Sequence, residues 1–284
     1  MRCDLHVHTR HSGMCTVPLL NRICRESYTE PEALYAVMKQ RGMDLVTITD
    51  HDSIDAAESL RQHRDFFVSE EVTCYMPSET EIHVGVYAIS EREHIEIQRR
   101  RKDIGCLLAY LSERSILFSV NHLFSGLTGR RAEEDFVWFH AHFPAYEIKN
   151  GQMPWEQNLR SQEVARAQEK ASWGGSDAHT LASAGTTYTE VRGARDSAEF
   201  LAGLRAGRGS VRGEDGSYVK LTRDVALIAL AMFQEKPWLA PLMPLLALVP
   251  LVTAAHWKGE RQFLRRWGRT PVAMPAYREL GVIT

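Results

Sequence analysis

Short β-branched runs alternate with helical stretches along residues 1–206, and this alternation constrains the fold more than any other feature. The predicted strands lie at residues 4–8, 44–49, 70–73, 82–87, 116–120, 145–148, 172–175 and 185–191. The helix before the second strand shows Leu34, Val37 and Met38 at helical spacing. Strands and helices in this order are typical of α/β proteins whose parallel strands form a barrel or a doubly wound sheet.

Most of the predicted strands end in a side chain that can bind a metal ion. His51, His122 and Asp177 each follow such a run, whereas His83 lies near the start of its run. The carboxyl ends of parallel strands meet at one rim, so side chains at these ends are expected to lie close together. Their accumulation favours a metal site over a set of scattered structural histidines.

The first predicted strand reads Asp4-Leu5-His6-Val7-His8, in which polar and apolar residues alternate. Residues two apart on a strand point to the same face, so both imidazoles leave on one side. Taken alone, such a pair is more often structural than functional, because histidine is common in both buried and exposed positions. It becomes a metal-binding pair when other strands supply further ligands.

The available donors are imidazoles and carboxylates, which suit Zn, Mn or Fe. They are too many for one tetrahedral ion, so we expect two or three divalent metal ions, with Glu71 bridging a pair. Such clusters activate a bound water and hold the oxygens of a phosphoryl group during in-line displacement. The alternative is hydrolysis of an amide or a ring with a modified, metal-bridging lysine, for which Lys149 is the only candidate by position.

Five motifs of the chain resemble, in order, those of the PHP (polymerase and histidinol phosphatase) superfamily. They are Asp4-Leu5-His6-Val7-His8-Thr9, Ile48-Thr49-Asp50-His51-Asp52, Glu71-Val72-Thr73, Asn121-His122 and Gly175-Ser176-Asp177-Ala178-His179. The resemblance covers residues 1–213. It implies a distorted (β/α)7 barrel and a metal-dependent phosphoesterase.

The resemblance also implies how the metal ligands are shared among the ions. It assigns one ion to His6, His8, Glu71 and Asp177, a second, bridged by Glu71, to His83 and His122, and a third to His51 and His179. The family pattern has an Asp or His a few residues after the His-x-His motif, where this chain has Gly13 and Met14. We therefore expect at least two ions, with the remaining position left to His11, to water or to no group.

Residues beside these ligands are the candidates for proton transfer and substrate binding. Asp177, Asp50 and His51 are predicted to be catalytic, although Asp50 serves equally well as the cap of a following helix. A phosphate also needs cationic or amide partners, and the predicted substrate-binding residues are Arg130, Arg131, Lys149 and Asn150. The two adjacent arginines also fit a solvated surface pair.

The expected function is hydrolysis of a small-molecule phosphate ester, either a monoester or a diester. The alternatives are a histidinol-phosphate phosphatase and a non-catalytic metal-binding PHP module. A formal net charge of -2 provides no basic surface that would indicate a nucleic-acid partner. Five scattered cysteines and a start without a signal peptide predict a reducing compartment, the cytoplasm.

The last part of the chain differs in composition, so we expect a catalytic domain at residues 1–216 and an appendage at 217–284. Residues 225–233 and 238–255 are apolar, and basic residues follow them. Repeated prolines, at 237, 241, 244 and 250, argue against a single membrane-spanning helix. We expect a helical appendage that packs on the barrel or contacts a second copy, with binding to a membrane surface as the alternative.

Overall fold

The computed structural model describes residues 1–17 and 20–269, and eight strands within these ranges form two sheets. The larger sheet contains, in spatial order, β2 (Ser69–Tyr75), β3 (Glu81–Tyr87), β4 (Leu117–Val120), β5 (Ala145–Asn150) and β6 (Ala171–Gly175). The smaller, antiparallel sheet contains β1 (Arg2–Cys3), β7 (Thr187–Val191) and β8 (Gly209–Gly213).

Strand directions in the larger sheet are mixed. The strands β2, β3 and β4 pair antiparallel, whereas β4, β5 and β6 pair parallel. Residues 76–80, which join β2 to β3, are too few for the crossover that a parallel pair requires, so these strands form a hairpin. The α/β class is confirmed, but a closed (β/α)7 barrel is not, since the described strands form two separate sheets.

Nine α-helices lie within the described residues. They are α1 (Pro31–Gln40), α2 (Ala57–Leu60), α3 (Glu91–Arg100), α4 (Ile104–Glu113), α5 (Glu133–His142), α6 (Trp155–Ala167), α7 (Ser197–Arg205), α8 (Tyr218–Glu235) and α9 (Val249–Trp267). The helices α3 and α4 are separate, because the Asp103 side chain accepts a hydrogen bond from the Cys106 amide and caps a new helix. The largest apolar core lies between β2–β4 and the helices α3–α5.

The segments 4–8 and 44–49, predicted as strands, are extended and buried but make only isolated ladder contacts. Val7 forms a bridge with Ala178, and Val46 forms one with Phe66. The Thr49 amide donates to the Val7 carbonyl at 2.9 Å, so the two segments also lie side by side. The chain that carries the His-x-His motif is thereby held between the segment that ends at Thr49 and the residues that follow β6.

The direction of β3 decides where His83 lies. Because β3 is antiparallel to β4, its first residues lie beside the last residues of β4, with Val84 opposite Val120. The Asn121 amide also donates to the His83 carbonyl at 3.0 Å. His83, which in the sequence lies at the wrong end of its strand, therefore lies on the same rim as His122.

Helices α8 and α9 pack on the α/β fold through buried carboxylates. Asp224 in α8 accepts a hydrogen bond from Gln152 at 2.9 Å. Glu260 in α9 is 3% exposed and accepts hydrogen bonds from Gln157 at 2.7 Å and from the Gly126 amide at 3.0 Å. Residues 218–267 are thus mainly helical and contact the loops that carry Gly126 and Gln152, while residues 270–284 of the expected appendage lie outside the described residues.

The link between α8 and α9 is a 3-10 helix, Pro237–Leu248, that continues directly into α9. Among the described helices, the continuous stretch Pro237–Trp267 alone has the length and composition to cross a membrane, with a mean hydropathy of 1.9 in its most apolar window. Its four most exposed large apolar side chains are those of Trp238, Leu245, Leu251 and Val252. We call these four side chains the C-terminal apolar surface.

Candidate metal centre

The carboxylate of Glu71 lies at the centre of a group of imidazoles and is 1% exposed. Its Oε2 atom lies 3.1 Å from His6 Nε2 and 3.3 Å from His51 Nε2. Its Oε1 atom lies 3.2 Å from His122 Nε2 and 3.6 Å from His83 Nδ1. Oε2 also lies 3.4 Å from His8 Nε2, so five imidazoles surround this carboxylate. Glu71 is shared by two groups of donors, one with His6 and His122 and one with His51 and His83, which is the position that a bridging carboxylate requires.

A second carboxylate, Asp177, faces the His-x-His motif. Its Oδ1 atom lies 3.2 Å from His8 Nε2 and 3.5 Å from His6 Nε2. Asp177 follows β6 with a φ of 50°, and His122 follows β4 with a φ of 31°. Both backbones lie in the left-handed region, which is costly for residues with a side chain and which clusters at functional sites. These turns direct both side chains to the rim.

A glutamate that the motifs do not contain, Glu26, completes the group. Its carboxylate lies 3.3 Å from His179 Nε2 and 3.5 Å from His51 Nε2. A bridge between Met14 and Arg25 brings Glu26 to the rim. The position that the sequence left to His11, water or no group thus has a carboxylate. Only the charge of Glu26, in a polar loop, could have signalled it.

A further shell of polar residues orients the ligands. His6 Nδ1 lies 2.7 Å from the carboxylate of Glu147, which also accepts a hydrogen bond from the His122 amide at 2.8 Å. Asn150 donates to Asp177 Oδ2 at 2.9 Å. Carboxylate partners of this kind select the tautomer and orientation of a ligating imidazole. Asn150, which was predicted to bind substrate, therefore contacts the candidate metal ligand Asp177. Glu147 contacts His6 and the amide of His122.

Asp50, predicted to be catalytic, contacts the centre through Ser12. Its Oδ1 atom accepts a hydrogen bond from Ser12 Oγ at 2.8 Å, and that hydroxyl lies 2.8 Å from His8 Nδ1. The same carboxylate accepts hydrogen bonds from the amide and the hydroxyl of Thr9. This arrangement fits a positioning role for Asp50, acting on His8 rather than on its neighbour His51.

Burial and nearby carboxylates shift the pKa values of the histidines in this centre in opposite directions. Burial alone lowers the pKa of a histidine, but the carboxylates of Glu71 and Glu81 outweigh burial and raise the pKa of His83 to about 10. For His51, burial outweighs the attraction of the Glu26 and Glu71 carboxylates and lowers the pKa to about 4. Burial also raises the pKa of Glu26, yet nearby His51 and His179 lower it to about 2.

The donor set fits divalent cations. His8 Nε2 is buried and has no hydrogen-bond partner among the described residues, although it faces two carboxylates. Four sets of three donor atoms lie within 4.8 Å of one another: His6, His8 and Asp177; His6, Glu71 and His122; His8, Glu26 and His51; His51, Glu71 and His83. Imidazole and carboxylate ligands in this ratio suit Zn, Mn or Fe.

The cationic residues predicted to bind substrate lie elsewhere. Lys149 forms an ion pair with Asp215 at 3.2 Å. Arg130 and Arg131 line a cavity beside α9, and none of the ligand residues named above lines that cavity. The structure thus brings together all eight predicted ligands and adds Glu26, while it separates the two arginines from them.

Comparisons with known proteins give one family and one curated relative. A family model described as PHP-associated matches residues 155–208. An uncharacterized protein of Methanocaldococcus jannaschii is 35% identical over 69 residues, which are 24% of this chain and 39% of the relative. The aligned stretch is thus well under half of that relative's length.

Two solved structures share the fold. PsfC from Pseudomonas syringae superimposes with a TM-score of 0.54 and 15% identity, covering 82% of this chain and 98% of the other. A lesion-specific endonuclease from Pyrococcus furiosus superimposes with a TM-score of 0.51 and 15% identity, covering 74% of this chain and 58% of the other. At such low identity the likeness concerns the fold alone.

Proposed function

The chain belongs to the PHP superfamily, and we propose that it is a metal-dependent hydrolase that cleaves the phosphate ester of a small molecule. The observation that carries this proposal is the central position of Glu71, which belongs to two groups of donors, one with His6 and His122 and one with His51 and His83. A centre with two ions is suited to in-line displacement at phosphorus. The proposal assigns this chemistry to residues 1–216 and a cytoplasmic location to the protein.

The ligands divide naturally between two ions that share Glu71. His6 and His122 would hold one ion, and His51 and His83 would hold the other. When bound, divalent ions at such a centre lower the pKa of a water molecule and offset the charge of a phosphoryl group. Glu26, with His8 and His51, would hold a third.

Side-chain exposure indicates where a substrate enters. The side chains of His179 and His51 are 20% and 16% exposed, whereas those of His6 and His8 are closed to solvent. A phosphate ester therefore approaches the side of the centre that carries His51, His179 and Glu26. His179 Nδ1 donates to the Asp177 carbonyl at 3.0 Å, which leaves its Nε2 atom directed at the opening.

The positions of Asp177 and Asn150 indicate which group accepts a proton during hydrolysis. Asp177 lies between the His-x-His motif and Asn150, where it can take a proton from the attacking water. The opening beside His51 and His179 is accessible to solvent, which can supply the proton that the departing alkoxide takes up. Asn150 keeps Asp177 Oδ2 occupied, so Oδ1 is the atom that accepts the proton.

The bridging position argues for phosphoester chemistry rather than amide hydrolysis with a modified lysine. Glu71 already lies between the two pairs of imidazoles. Lys149, the one candidate for such a lysine, is paired with Asp215. Both observations favour phosphoester hydrolysis over chemistry that uses a lysine carbamate.

Phosphate release from purified protein loaded with Mn or Zn tests the proposal. The substrates would be phosphomonoesters including histidinol phosphate, phosphodiesters, cyclic phosphates and a lesion-bearing DNA duplex. We expect turnover on at least one small ester and its loss in Asp177→Asn. Turnover on DNA alone would assign a nuclease, and no turnover on any substrate would support a non-catalytic metal-binding module.

A further inference from the structure

Arg131 is a buried cation that lacks an ion-pair partner among the described residues. It is 6% exposed, and one of its terminal nitrogens donates to the Glu81 carbonyl at 2.9 Å. Its Nε and its other terminal nitrogen have no hydrogen-bond partner in the described part of the chain. A buried charge with unused donors is costly, so its presence calls for a compensating group.

The nearby carboxylates do not supply that compensation. Asp135 accepts hydrogen bonds from the Ala132 amide and from Ser78. Glu260 is occupied by Gln157 and by the loop that begins at residue 125. Burial accordingly lowers the pKa of Arg131 to about 10, although both carboxylates act to raise it.

The unused donors belong to a residue that lines a cavity of about 630 Å³ between residues 126–131 and α9. Two further guanidinium groups, those of Arg130 and Arg266, line the same cavity, together with the ring of Phe263. Ligand pockets of roughly 300–1,000 Å³ hold small organic molecules. The cavity therefore combines the size of a ligand site with three cations and one aromatic face.

We propose that this cavity binds a phosphate-bearing small molecule, at a site distinct from the metal centre. Arg131 has two neighbouring donors without a partner among the described residues, and guanidinium groups recognise phosphate best through two such parallel donors. Arg130 and Arg266 line the same cavity and add positive charge, and Phe263 supplies an aromatic ring against which a ring such as a nucleobase can pack. Inorganic phosphate and a nucleoside monophosphate share this recognised group.

Two variants disrupt the site in independent ways. Arg131→Met removes the buried cation, and Gly259→Leu fills the cavity from the side of α9. An added Cβ at Gly259 meets no atom within 4 Å, and leucine favours a helix more than glycine does, so this variant should fold. Arg261→Met, on the same helix but outside the lining of this cavity, is the matched control.

Calorimetric titration of the full-length, metal-loaded protein with inorganic phosphate and, separately, with AMP tests the site. We expect Arg131→Met and Gly259→Leu to weaken one class of binding at least about tenfold, and Arg261→Met to bind as the wild type does. If the variants bind both phosphate and AMP more weakly, the site recognises the phosphate group alone. If they bind only AMP more weakly, the site recognises a nucleoside monophosphate. Wild-type affinity and stoichiometry in both variants would overturn the proposal without affecting the proposed hydrolase, because the two sites share no ligand residue.

Discussion

His83 and His122 are in direct contact at the rim, with His83 Nδ1 3.2 Å from His122 Nε2, although one begins a strand and the other follows one. Both nitrogens face the same oxygen of Glu71. One carboxylate oxygen thus faces an imidazole from each of the two donor groups that share Glu71. Several consequences of this arrangement can be measured.

Asp177→Asn is expected to lower kcat by about 10²–10⁴-fold, because the amide cannot accept a proton and binds a cation poorly. The measurement is steady-state hydrolysis of the best small ester at saturating metal. Asp65→Asn is the control, since Asp65 pairs with Lys39 outside the centre. More than a few per cent residual activity in Asp177→Asn would count against the assigned role.

Glu26→Gln is expected to weaken the most loosely held ion by about 10–100-fold, because it removes a charge beside His51 and His179. Metal content after competition with a chelator measures this effect. Glu30→Gln provides the control, since Glu30 pairs with Arg10 at the surface. Equal metal content in both variants would exclude Glu26 as a ligand.

Metal binding at pH 7 is expected to release protons. The pKa of His83 is raised to about 10 and that of His179 to about 9, so both are protonated in the metal-free protein at pH 7. An imidazole must be neutral to bind a metal ion, so these protons leave and the apparent affinity rises as pH increases from 6 to 9. Calorimetry in buffers of different ionisation enthalpy counts the protons.

The control for proton release is His63→Gln, because His63 stacks on Tyr35 outside the centre. This variant should release as many protons as the wild type. Metal binding whose heat does not depend on the buffer would contradict the protonated state of the two histidines.

Glu260→Ala is expected to lower the free energy of unfolding by about 2–4 kcal/mol, because it leaves buried donors of Gln157 and Gly126 without an acceptor. Urea denaturation measures the change. The exposed Glu163→Ala on α6 serves as the comparison and should change little. A loss below about 0.5 kcal/mol would mean that α9 is not anchored by this carboxylate.

The C-terminal apolar surface is expected to mediate association, because soluble proteins rarely expose so many large apolar side chains together. Leu251→Asp combined with Val252→Asp should abolish it, whereas Gln234→Asp on α8 should not. Sedimentation would detect a second copy, and flotation with anionic vesicles would detect a membrane surface. A wild-type chain that is monomeric and does not float would contradict this expectation.

Much of the centre was predictable because its ligands lie in short motifs at strand ends. The alternation of Asp4–His8 predicts that His6 and His8 share one face, and the structure places Glu71 between the imidazoles of His6 and His83. The closed barrel was not predictable in this way. Periodicity indicates that a strand forms but not which strand it pairs with or in which direction.

The position of Glu26 is likewise not predictable from the sequence pattern. The absence of a donor at Gly13 and Met14 is visible in the sequence, but the residue that replaces it comes from the far end of a folded loop. Arg131 is a second case. Two adjacent arginines are usually solvated, and only the packing of α9 over residues 126–131 shows that one of them is buried with unused donors.

The sequence by itself determined the chemistry of the centre, since residue types at strand ends limit the donors to imidazole and carboxylate. The tertiary structure alone decided how those donors meet. The hairpin between β2 and β3 reverses β3, and this reversal brings His83 to the rim beside His122. The direction of a strand within a sheet depends on long-range pairing with other strands, and local residue patterns do not predict this pairing.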